Sequence, residues 1–198
     1  MQKHENTRKF NLIAVAILTG LAFAIGGLFK TLLELHLNQI VLAIWFGFLL
    51  ESAIGMAVLA FALRRHYPFL KLWIAGTSAF ALGILFPAMI MNQFFYALLI
   101  LPGFFIAYLF RLFLGDERGI LLFMITLGFI ICQMLMYAVQ IQMPWFVWLR
   151  EHFGPLSVTI FIHIIIDATI GIFVALGVGL MLRRRRQQTI ADVKLFLE

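Results

Sequence analysis

The sequence predicts an all-α integral membrane protein: one transmembrane domain over residues 1–198, a six-transmembrane-helix bundle with its N-terminus and C-terminus cytoplasmic. Three observations predict it. Hydrophobic residues make up 64% of the chain and charged residues 12%, with a mean hydropathy of +1.04. The apolar text divides into runs of the length that crosses a hydrocarbon core, about 20 residues of helix for about 30 Å. And Lys and Arg gather at alternate ends of those runs, as the positive-inside rule requires of cytoplasmic segments.

Taken in order, the expected spans lie near residues 10–29, 39–63, 69–91, 94–114, 119–141 and 156–182. The first is long enough to stay as a span rather than act as a cleaved leader. The third and fourth are divided only by "MNQFF", where Asn92 and Gln93 mark a tight outer turn. Strands are excluded by the length of the runs and their lack of alternation. With the N-terminus inside, every Lys and Arg except Lys30 and Arg150 falls on the inner side, including the run Arg183, Arg184, Arg185 and Arg186. The pI of 9.9 therefore expresses topology and contact with anionic membrane lipids, and no nucleic-acid role follows from it. The tail "QQTIADVKLFLE" reads either as a short amphipathic surface helix or as irregular chain.

Of the nine acidic residues, Glu51 and Asp167 stand halfway along spans two and six, and His163 lies one turn from Asp167 in "FIHIIIDATIGIF". A charge at the bilayer centre costs about 2.5–3.5 kcal/mol on insertion scales, so such residues turn inward, pair or line a wet cavity. At i and i+4, His163 and Asp167 share a helix face. Gln133, Tyr137 and Gln140 stack along one side of span five, Asn92 closes the outer turn, and Trp145 and Trp148 reach the outer interface. These residues predict an outward-facing substrate pocket built from Glu51, Asn92, Gln133, Tyr137, Gln140, His163 and Asp167, suited to a cationic or nitrogen-rich small molecule. The opposite expectation is a packing clasp between Asp167 and His163.

Catalytic signatures are thin. The chain lacks HExxH, "AGTSAFALG" is not the GxSG of rhomboid proteases, and "HIIID" is similar to the last His motif of CAAX-type membrane proteases but comes without their Glu-Glu pair. No metal or cofactor site is expected, and the single cysteine, Cys132, makes neither a disulfide nor a thiol metal centre.

Six spans in this length, termini inside, short inner loops and polar groups gathered toward the outside resemble the substrate-binding S components of energy-coupling factor vitamin transporters. So does the small-residue line in "AILTGLAFA", with Ala16, Gly20 and Ala24 where that family carries an Ala-xxx-Ala contact line, although Gly20 replaces an alanine. The resemblance implies a vitamin-like solute, a location in the plasma or inner membrane, and uptake driven through a separate transmembrane coupling subunit and ATPases docked at Ala16, Gly20 and Ala24. An intramembrane hydrolase, a stand-alone ion-coupled carrier and a membrane assembly or scaffold protein remain the other readings.

Overall fold

The computed structural model describes residues 11–36, 40–91, 100–140 and 144–195. Among them the chain forms seven helices and no strand: α1 (Leu12–His36), α2 (Ile40–Ala62), α3 (Phe69–Met91), α4 (Ile100–Leu114), α5 (Ile120–Gln140), α6 (Pro144–Phe153) and α7 (Pro155–Leu195).

Local chemistry sets the ends that are described. Asn11 caps α1, its Oδ1 accepting from the backbone N–H groups of Ile13 and Ala14 at 3.1 and 3.2 Å. Pro144 and Pro155 open α6 and α7 at the position where a missing N–H costs nothing. Between α4 and α5, Gly115 and Gly119 adopt φ of 64° and 68°, and Asp116 Oδ2 accepts from the N–H of Leu121 at 2.7 Å to start α5.

α2, α3 and α5 occupy the expected stretches. Three departures have physical causes. α1 runs on past residue 29 to His36, because nothing in "KTLLELH" breaks a helix; this carries Lys30 inside the helix, buried to 3% exposure, instead of leaving it on the outer side. α7 passes through the four arginines and continues to Leu195, since no Gly or Pro follows Leu182 to stop it. The loop expected between spans five and six contains a helix of its own, α6.

Each long helix packs on its neighbours in chain order, α1 on α2, α2 on α3, α3 on α4 and α4 on α5, and α7 closes the circuit by packing on both α5 and α1. Phe23 of α1 fills the centre. Its ring lies 5.3 Å from that of Phe80 in α3, and it presses on Gly55 of α2 and Gly171 of α7, where a Cβ would come within 2.1 and 2.8 Å of Phe23 atoms. Outward faces are apolar. On α1, Ile13, Ile17, Leu21, Ile25 and Phe29 form an exposed stripe at helical spacing, which water penalises and lipid does not. Three helical stretches are long and apolar enough to cross a membrane, Leu12–Leu33, Ile120–Val139 and Pro155–Val193, in keeping with a membrane-associated chain.

Candidate functional site

The inward face of α1 carries Phe23, Gly26, Gly27 and Lys30 at helical spacing, and Lys30 meets α2 and α7 where each presents its one in-span acid. Lys30 Nζ lies 2.7 Å from Glu51 Oε2 and 2.9 Å from Asp167 Oδ1. Its remaining side faces the Phe48 ring, 4.2 Å from the centroid, which satisfies the ammonium without another anion. Glu51 and Asp167 are each 1% exposed. The three groups form a closed charge cluster in the seam of α1, α2 and α7.

Glycines make this approach possible. Gly47 leaves room for the Lys30 stem, since a Cβ there would stand 2.5 Å from Lys30 Cγ. Gly27 leaves room for the Asp167 carboxylate, whose Oδ2 would be 1.7 Å from a Cβ at that position. Gly26 lets the α2 backbone itself come close, with Glu51 Cα at 2.6 Å from the corresponding point. Asp167 Oδ2 is buried and has no hydrogen-bond partner among the described residues. With all three groups ionised the cluster holds two negative charges against one positive charge.

The structure brings together Glu51 and Asp167 of the expected site, through Lys30. It does not join His163, Gln133 or Tyr137 to them. His163 turns back to its own helix, Nδ1 lying 2.8 Å from the Thr159 carbonyl oxygen, so the i, i+4 bond to Asp167 does not form. Tyr137 is 60% exposed and Gln133 half-buried; the face that α5 gives to the bundle is Ile125, Phe129 and Cys132, with Cys132 Sγ 3.5 Å from the Ile166 carbonyl. Cys132 and Gln133 differ by one residue, about 100° of helix rotation, which is enough to turn a polar stripe off the core. Asn92 and the side chain of Gln140 lie outside the described residues. Ala16, Gly20 and Ala24 are buried, and a Cβ on Gly20 would meet Ile172 Cγ1 at 2.7 Å and the Ala168 carbonyl at 3.0 Å. At Gly20 the small-residue line is thus occupied by α7.

A cavity of about 430 Å³ lies elsewhere, lined by residues that include Asp116, Arg118, Arg184, Arg185 and Thr189. It stands fourteen or more residues along α7 from Asp167, about 21 Å at 1.5 Å per residue. Arg185 ties the two parts of its wall together by donating to the carbonyl oxygens of Leu114 and Gly115. Among the described residues no three His, Cys, Asp or Glu side chains gather as a metal ion would require.

Lys30 is the functional candidate that sequence reasoning missed. The signal was present: two acids deep in the apolar text call for a cation, and Lys30 is followed by helix-forming residues rather than a turn.

Comparison with family models, with curated proteins and with solved structures finds no match for this chain.

Proposed function

We propose that this chain is a small-molecule binding and transport subunit of a cell membrane, crossing it six times with both termini cytoplasmic, and that Lys30, Glu51 and Asp167 are its solute-handling centre. The observation that carries the reading is the interior position of three ionisable groups on three different helices. A packing seam between helices needs no charge, and a buried cluster is no more stabilising than apolar residues of the same volume. Acids turned into the bundle also suit a binder or carrier better than an assembly factor, whose charges would face seams open to another protein. A cationic or nitrogen-rich solute suits a centre in which two carboxylates stand against one ammonium.

The chain contains no GxxxxGK[ST] phosphate loop, so accumulation against a gradient needs another source of energy. One source is a separate ATPase and coupling subunit, as the resemblance to S components implies. The other is an ion gradient in a stand-alone carrier, favoured by the uneven charge of the cluster, by the packing of Gly20 against α7 and by the burial of Ala16 and Ala24.

Native mass spectrometry of gently purified protein tests the reading. A retained small molecule, lost in Asp167→Asn while the folded yield holds, is the expected result. Loss of folded yield in proportion to loss of the bound molecule would make the cluster a structural clasp. Co-purified ATPase separates the S-component form from the stand-alone carrier.

Topology has its own test. In a Cys132→Ser background, cysteines at Trp148 and Glu151 should react with an impermeant thiol reagent in intact cells, and cysteines at His66 and Glu117 should react only after lysis. Cys132 is buried, so its replacement removes background without touching a surface. The reverse labelling pattern would overturn the orientation, and equal labelling of all four would overturn the span count.

A further inference from the structure

The cluster of Lys30, Glu51 and Asp167 has one negative charge too many. Among the described residues no second cation pairs with it. Among the described side chains, α1 contributes Lys30 and α2 Glu51; α7 contributes Asp167, with His163 a turn away and bonded to Thr159; α5 contributes Cys132, whose Sγ faces the Ile166 carbonyl. Asp167 Oδ2 adds a second, independent sign. It is buried against Gly27 without a donor among the described residues, so a full charge on this carboxylate would leave half of it unsolvated. An isolated buried charge is neutralised rather than tolerated, because burying it unpaired costs several kcal/mol.

We propose that the carboxylate pair Glu51 and Asp167 is a proton-binding site that carries one exchangeable proton, with Lys30 as its fixed counter-cation. The step is protonation alone: a carboxylate takes up a proton to become a carboxylic acid, no other bond changes, and the cluster passes from one net negative charge to neutral. Lys30 is held by both acids and by the Phe48 ring, so it remains between them in either state. The site belongs to the seam where α1, α2 and α7 meet, so losing the proton places a repulsive pair inside the packing of all three. This gives the protein a way to couple proton occupancy to helix arrangement, whichever solute it handles.

Infrared spectroscopy of the full chain in lipid nanodiscs tests it. At neutral pH the unmutated protein should show the carbonyl stretch of a protonated carboxylic acid, about one group per chain as charge neutrality requires. The band should shift in deuterated buffer and disappear reversibly at high pH. Labelling either aspartate or glutamate carboxyl carbons with ¹³C should move it, which assigns the band without any mutation. Asp167→Asn leaves one carboxylate against one ammonium and should abolish the band, whereas Lys30→Gln leaves two acids without a cation and should roughly double it. Absence of an acid band in the unmutated protein would overturn the proposal. So would a band that appears only when sodium or potassium is removed, since the ligand would then be a metal cation. Loss of a bound solute in mass spectrometry would leave this result unchanged, so failure of the transport reading and failure of the proton site are distinguishable.

Discussion

Lys30→Met is expected to be the most damaging single substitution in the protein. Methionine keeps the length of the side chain and removes the ammonium, leaving Glu51 and Asp167 facing each other in a site where each is 1% exposed. Breaking a buried ion cluster by removing one partner costs about 3–5 kcal/mol. That is a large part of the roughly 5–15 kcal/mol by which a folded domain exceeds its unfolded state. Thermal unfolding in detergent should show a large drop, with poor recovery of monodisperse protein. The combined change Lys30→Met, Glu51→Gln and Asp167→Asn should restore much of the loss, because exchanging a whole buried cluster for neutral groups of similar volume is close to neutral. Equal damage from the single and the triple substitution would mean that packing of the lysine stem against Gly47, not charge, decides the effect.

The second large effect falls on the paired glycines of α1, and the two should behave differently. At Gly26 an added methyl would stand 2.6 Å from Glu51 Cα and 3.0 Å from the Glu51 carbonyl oxygen, so only separation of α1 from α2 can make room. At Gly27 the methyl would meet the Asp167 side chain, 1.7 Å from Oδ2 and 2.5 Å from Cγ. Each alanine substitution is expected to cost about 1–3 kcal/mol as overpacking. Asp167→Ala removes the atoms that Gly27→Ala strikes, so the double change should cost less than the sum of its parts by more than about 0.5 kcal/mol. Gly26→Ala with Asp167→Ala should come closer to additive, since the obstacle at Gly26 is backbone. Additivity in both pairs would mean that Asp167 does not lie against Gly27.

Much of the helical fold is written in the apolar runs. α2, α3 and α5 follow from run length alone, because a helix that satisfies its own backbone is the only open structure that such text can form in hydrocarbon. α1 and α7 exceeded their expected ends for one reason. Apolar text ends where charge begins, but a helix ends only where backbone geometry changes, and neither Lys30 nor Arg183 changes it. The candidate site divides similarly. Glu51 and Asp167 were legible as misplaced charges. The expected roles of His163, Gln133 and Tyr137 rested on shared helix faces, and a face has meaning only once the neighbouring helix is known.

The sequence by itself therefore determined composition, helical class, the approximate helix limits and the presence of two acids that hydrocarbon would reject. It also carried the glycines that let helices touch, though not which helices would do so. Only the tertiary structure decided that α1 lies between α2 and α7, that Gly26 and Gly27 open its face toward Glu51 and Asp167, and that Lys30 stands between the two acids. The physical reason is that burial costs are set one residue at a time and can be read along a chain. Charge compensation is a relation between residues 21 and 137 positions apart, and it exists only where packing brings them together.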